Sequence, residues 1–84
     1  MNRKLNNILD KYQDEDFLKA DGFDDAIIGV EENTMRLVYS ISFCIDILMA
    51  EEGMFEEEAL EYFDYNVKGS YVGEKTPIWV NDLF

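Results

Sequence analysis

Carboxylates are the residues of this chain whose number and spacing could do chemistry. Nineteen Asp and Glu stand against seven Lys and Arg, for a formal net charge of −12. The densest group is Glu51, Glu52, Glu56, Glu57 and Glu58, followed closely by Glu61 and Asp64. Acids this crowded repel one another, and a field of one sign draws a basic surface towards it. These seven residues are therefore the candidate partner-binding residues, an acidic knob for a basic protein surface. The simpler reading of the cluster is a solvated face, with Glu56, Glu57 and Glu58 compensating the positive end of a helix dipole.

Other chemistries find little support. The chain has no histidine, so it has no imidazole base and no histidine metal ligand. Pairs of carboxylates can do acid–base work, but among nineteen acids a close pair carries no information. The single cysteine, Cys44, falls on an apolar helical stripe and has no base beside it. Gly69 and Gly73 do not have the spacing of a phosphate-binding loop. Asp21, Asp24 and Asp25, with Glu31 and Glu32 beyond, lack the ligand positions and closing Glu of a calcium loop, and read as a solvated acidic segment. The expectation is a protein that is not an enzyme, with no catalytic residues, no metal and no cofactor.

Composition narrows the classes further. Eighty-four residues make one domain, 1–84, whose core is modest because a chain this short buries only about 60–65% of its unfolded surface. A hydrophobic fraction of 48% with 14% aromatics argues for a folded chain despite the charge. The negative field opposes direct binding to a nucleic-acid backbone. One cysteine allows no intrachain disulfide, which fits a reducing compartment. Arg3 and Lys4 are followed by no apolar run, and no stretch reaches the roughly 18 apolar residues that span a bilayer. A soluble, cytoplasmic protein without a membrane partner is expected.

The elements that position the acids are legible from periodicity. Ile41, Cys44, Ile45, Leu48 and Met49 recur at helical spacing, and Phe43 and Ile47 widen the stripe, so this helix should be buried over more than half its circumference. Ser40 or Ser42 caps it and Gly53 ends it. A second helix starts near Phe55, buries Ala59, Leu60, Phe63 and Val67, and stops at Gly69, with Asp64 placed to pair with Lys68. Residues 2–12 form a short, peripheral amphipathic helix on Leu5, Ile8, Leu9 and Tyr12, with Asn2 as its cap. Residues 26–31 and 35–39 read as a β-hairpin around Glu32, Asn33 and Thr34, and residues 78–80 as a third, edge strand after Pro77. The tail Asn81–Phe84 ends apolar beside an acid. It is similar to the interaction tails of single-stranded-DNA-binding proteins over four residues, but the reading adopted is a strand end tucked into the core. The fold class that follows is α+β: a small two-layer sandwich in the order α-β-β-α-α-β, its three-stranded sheet covered by a helical pair.

Three runs, FDDAIIGVE from Phe23, CIDIL from Cys44 and EEALEYFDYNVKGSYVGEKTPIWV from Glu57, resemble a group of small hypothetical proteins of tailed bacteriophages. The resemblance covers residues 23 to 80 and leaves the N-terminal helix outside. It implies a phage setting, hence the cytoplasm of an infected host, and no catalytic residues. It also marks Gly73, Glu74, Lys75, Thr76 and Pro77 as a recognition loop, against the simpler reading of a loop that leads into the last strand. Two functions are expected. The first is an acidic phage accessory protein that binds and inhibits or modulates a host or phage protein, by presenting carboxylates where phosphates would sit or by countering host defence. The second is a homo-oligomer with a small-molecule pocket between subunits, lined by Tyr71, Gly73, Glu74, Lys75, Thr76 and Trp79.

Overall fold

The computed structural model describes residues 3–71 and 73–84, so the expected Asn2 cap and Val72 of the 69–77 loop lie outside the described residues. The chain forms α1 (Arg3–Lys11), a single 3₁₀ turn at Asp24–Ala26, β1 (Ile27–Glu31), β2 (Arg36–Ser40), α2 (Ile41–Glu52) and α3 (Glu56–Tyr62). A π-helical segment (Phe63–Lys68) continues α3, and β3 (Ile78–Val80) follows. The order of helices and strands is the α-β-β-α-α-β that the periodicity predicts, in a small α+β domain.

The sheet has the order β1-β2-β3, with β1 antiparallel and β3 parallel to the central β2. Its register holds one irregularity with a purpose. Val30 faces Leu37 and Ile27 faces Tyr39, although 27 and 30 are an odd number of residues apart. A regular strand would send them to opposite faces. The bulge between Ile27 and Gly29 absorbs one residue, Ile28, and returns both partners to the face that holds Leu37 and Tyr39. The hairpin turn is longer than the sequence suggests. Met35 sits at φ 54°, a left-handed conformation that takes it out of the strand. The Glu31 carboxylate holds the turn by accepting from the Asn33 and Thr34 amides at 2.9 and 3.0 Å. These bonds, with one from the Thr34 hydroxyl, keep Glu31 below the usual carboxylate range.

Leu37 and Tyr39 on β2 are fully buried, and the helices pack over them with Ile41, Cys44, Ile45 and Leu48 of α2, Ala59 of α3, and Phe63 and Val67 beyond. Each fully buried side chain of this kind contributes about 1.5–3 kcal/mol. Trp79 on β3 lies beside Tyr39 with ring centroids 5.0 Å apart and meets Phe63 edge-on at 5.2 Å. The Tyr39 hydroxyl accepts from the Ala20 amide at 2.8 Å, which satisfies its buried oxygen and fixes the acidic 13–23 segment. The N-terminal helix, too short to persist alone, docks on the rest through Leu5 and Ile8, which are part of the same core, while Leu9 of the predicted stripe is exposed.

The ends of α2 follow the sequence. Ser40 accepts from the Phe43 amide at 3.1 Å, and Gly53 at φ 68° makes the left-handed stop. Four expectations need correction. Phe43 and Met49 are exposed, so the buried stripe of α2 is narrower than predicted. The helix from residue 55 is α-helical only to Tyr62, after which the turns widen to π. Lys68 makes no ion pair with Asp64; the ion pairs among the described residues join Lys19 to Asp24 and Lys75 to Glu15. The tail does not enter the core: Leu83 is 45% exposed and Phe84 fully so. What holds the tail is polar. Asp82 accepts from the Ser40 hydroxyl at 2.6 Å and the Ser42 amide at 2.8 Å, binding the chain after β3 to the start of α2.

Candidate partner-binding trough

The helical pair carries a run of three adjoining concavities. The first, about 610 Å³, lies along α3 between Phe55, Tyr62, Tyr65 and Asn66. The second, about 320 Å³, is the cleft where Ile47 and Leu48 of α2 face Tyr62, Asn66 and Val67, closed by Phe23 and Tyr71. The third, about 600 Å³, runs from Gly22 along Ile47 and Ala50 of α2. Tyr62 and Asn66 belong to both the first and the second, and Gly22, Ile47 and Glu51 to both the second and the third. The three adjoining concavities are together termed the trough.

Its walls are acidic throughout. Glu57, Glu58 and Glu61 line the first concavity, and Asp21, Glu51 and Glu52 the second. The third adds Asp24, Asp25 and Asp46, which makes nine carboxylates, and no Lys or Arg among the described residues lines any part. Lys19 reaches Asp24 from outside at 3.5 Å. Glu58 turns one oxygen back to accept from the Phe55 amide at 3.3 Å and so helps to start α3. Aromatic and apolar side chains stand beside the acids, and several of them protrude into solvent. Phe55 is 83% exposed, Tyr65 80% and Tyr62 41%, high values for rings within one short helical stretch. Tyr62 and Asn66, four residues apart, share one helix face where the two concavities meet.

Of the acids singled out by sequence, the trough gathers Glu51, Glu52, Glu57, Glu58 and Glu61. Glu56 and Asp64 are exposed but do not line it. Asp21, Asp24 and Asp25, read as a solvated segment, join the same surface. No group of three or more acids or thiols among the described residues is arranged to hold a metal ion. Sequence reasoning missed Phe55, Tyr62, Asn66 and Asp46 as one site. The signal available was the exposed side of an amphipathic helix carrying aromatics instead of only charges.

The 69–77 loop is tied inward. The Lys75 ammonium donates to the Thr34 and Met35 carbonyls at 3.4 and 3.2 Å and pairs with Glu15 at 3.1 Å. The Thr76 hydroxyl donates to the Tyr71 carbonyl at 2.6 Å, and the Thr76 carbonyl accepts from Arg36 at 2.7 Å. Gly73 takes φ 109°, a backbone conformation that a side chain would strain, and Glu74 is exposed. Trp79 packs between Tyr39, Phe63 and Tyr71. Tyr71 alone of this set reaches the trough. Cys44 is buried, and desolvation, helped by the charge of Asp82, pushes its thiol up to about 12, so it stays protonated at neutral pH.

Comparison with protein-family models, curated proteins and solved structures returned no match to this chain. No helix among the described residues is long and apolar enough to cross a membrane.

Proposed function

We propose that this protein is a non-catalytic binding protein that takes a basic element of a protein partner into the acidic trough. The observation that carries the reading is the gathering of nine carboxylates beside exposed aromatic rings, with Lys19, paired to Asp24, as the one cation that the ion pairs among the described residues bring to them. Such a surface repels nucleic acid and any partner of its own sign, and it steers a basic surface into register over a screening length of about 8 Å. The exposed rings of Phe55, Tyr62 and Tyr65 supply the contact area that charge alone lacks, since exposed ion pairs are worth only about 0–1 kcal/mol each. In the phage setting that the sequence resemblance implies, the partner is a host or phage protein whose basic face handles nucleic acid or serves defence, and the trough blocks that face with carboxylates in place of phosphates.

The test is capture from a lysate of infected host cells on immobilised protein, followed by washes of rising salt. The reading expects one predominant basic protein, released as salt rises and displaced by added duplex nucleic acid. A captured protein that is acidic, or that stays bound at every salt concentration, would contradict it.

A further inference from the structure

We infer that the groove between α1 and β1 takes an extended, acidic segment of a partner protein as an added strand. The groove lies outside the trough, and the inference does not depend on the trough being a binding surface.

The strand edge carries the first half of the argument. Among the described residues, the order β1-β2-β3 leaves β1 without a strand on its outer side. Gly29 and Val30 pair with successive residues of β2, Val38 and Leu37, so they belong to opposite faces of the sheet. Both nevertheless line one concavity of about 330 Å³. A concavity that touches both faces of a strand runs along its edge, where backbone N–H and C=O groups are presented to an incoming chain. Gly29 keeps that edge open. A bulge that demands glycine places it at positive φ, and Gly29 is not among the positive-φ glycines, so the bulge beside it does not explain it. A Cβ built on it would meet nothing within 4 Å. A strand glycine that neither backbone strain nor packing requires leaves room for a second backbone.

Charge selects the occupant. Acids outnumber bases nineteen to seven in this chain, yet Lys4 and Lys11 line the groove and no Asp or Glu among the described residues does. Neither lysine takes part in the ion pairs among those residues; Lys11 lies over the Tyr12 ring at 5.5 Å, and Glu32 near that end accepts from the Tyr12 hydroxyl. Lys4 and Lys11 stand two helical turns apart, about 10 Å along α1, the span of about three extended residues. One added strand therefore passes both. Ile8 and Tyr12 on the helix side and Ile28 and Val30 on the strand side give apolar surface for its alternate side chains. An acidic segment answers the two lysines, which a basic segment would oppose. A second copy of this chain would bring a charge of −12 against −12, and nucleic acid meets the same field.

The probe is a fluorescent peptide in which glutamate alternates with valine between Gly-Ser ends. Its comparators carry lysine for glutamate, or N-methyl groups on either the glutamate or the valine amides. Binding to the intact protein is read by anisotropy, and the site by amide shifts. The acidic peptide is expected to bind and to shift Ile28, Gly29 and Val30, and the lysine peptide to fail. Alternate amides of a strand point to opposite sides, so one methylated peptide should fail and the other bind. Lys4→Gln with Lys11→Gln should weaken binding about fivefold, as the loss of two exposed ion pairs implies. Gly29→Val puts a side chain into the open space at the edge; circular dichroism should be unchanged and binding should fall at least tenfold. The inference is overturned if the acidic peptide does not bind, if the lysine peptide binds as well, if both methylated peptides bind like the parent peptide, or if Gly29→Val binds like the parent protein. A peptide of residues 79–84, or a duplex oligonucleotide, that binds this groove more tightly than the acidic peptide would assign it to a second copy or to nucleic acid and overturn the partner segment as its occupant.

Discussion

The substitution Ser40→Ala tests how the tail and the helical pair are joined. Ser40 is 1% exposed, and its hydroxyl does two jobs at the start of α2. It accepts from the Phe43 amide at 3.1 Å, and it donates to the Asp82 carboxylate at 2.6 Å. Alanine leaves the Phe43 amide without its cap and removes the donor to Asp82. Loss of a capping hydroxyl costs about 0.5–2 kcal/mol, and the second bond sets the expectation in the upper half of that range. For a domain of this size about 1.5 kcal/mol lowers the melting temperature by roughly 6–12 °C. The assay is urea and thermal unfolding followed by circular dichroism, with Ser42→Ala as a control. The Ser42 hydroxyl lies 3.4 Å from that of Ser40 and gives Asp82 only the smallest of its contacts, and the Ser42 amide that bonds Asp82 survives the change, so that variant should lose clearly less stability than Ser40→Ala. Acid adds a second readout. The Ser40 and Ser42 bonds hold the Asp82 carboxyl below its ordinary range. A depressed carboxyl contributes stability above its unfolded pKa and loses it as pH falls through its folded pKa. The gap between the parent and Ser40→Ala curves should therefore narrow in acid to the part owed to the Phe43 cap, which no proton removes. A Ser40→Ala protein as stable as the parent at neutral pH, or a difference that stays constant into acid, would refute the clamp.

Three further outcomes follow from the core. Phe63→Ala removes a fully buried ring set edge-on to Trp79 and should cost about 3–5 kcal/mol; urea unfolding with Trp79 fluorescence checks it, and a loss below about 1 kcal/mol would contradict the packing. Alkali should destabilise the protein, because burial raises the Cys44 thiol from 9.0 to about 12 and the Tyr39 phenol from 10.0 to about 12. Groups raised in this way contribute fully below their unfolded pKa and lose that contribution as pH rises towards the folded one. One unit above its ordinary value Cys44 alone costs about 1.4 kcal/mol, so Cys44→Ala should show a flatter alkaline limb in urea midpoints. The same thiol should resist a thiol reagent in the native protein and react at once in urea; fast native labelling would place it outside the core.

Local patterns carried most of the fold. The stripe of Ile41, Cys44, Ile45 and Leu48, the cap at Ser40 and the stop at Gly53 each depend on residues a few positions apart, and the sequence shows them directly. What escaped depends on distant partners. The bulge at Ile28 exists because Ile27 and Val30 must both face β2, a demand that only the paired strand makes visible. Asp82 reads as part of an apolar tail until Ser40 and Ser42 arrive beside it from forty residues away. Lys75 reads as a free recognition residue until the hairpin carbonyls of Thr34 and Met35 accept hydrogen bonds from it. The site behaves the same way. The Glu51–Glu61 cluster was legible as charge density, but its junction with Asp21, Asp24, Asp25 and Asp46 follows from packing Phe23 and the 3₁₀ turn against α2. Phe63 was legible as core from the stripe it shares with Ala59 and Val67, whereas the exposure of Phe55, Tyr62 and Tyr65 beside the acids appears only once the helices are packed.

The trough as a binding surface is tested most directly by neutralising one wall of it. The variant E57Q/E58Q/E61Q keeps the shape of the first concavity and removes three of its charges. These side chains are exposed, so the fold should hold or gain slightly as like-charge repulsion falls. The measurement is the affinity of the parent and the triple variant for the captured partner over a series of salt concentrations. The account predicts weaker binding by the variant at low salt, and curves that approach one another as salt rises. A triple variant that folds and binds with the parent's affinity at every salt concentration would contradict it.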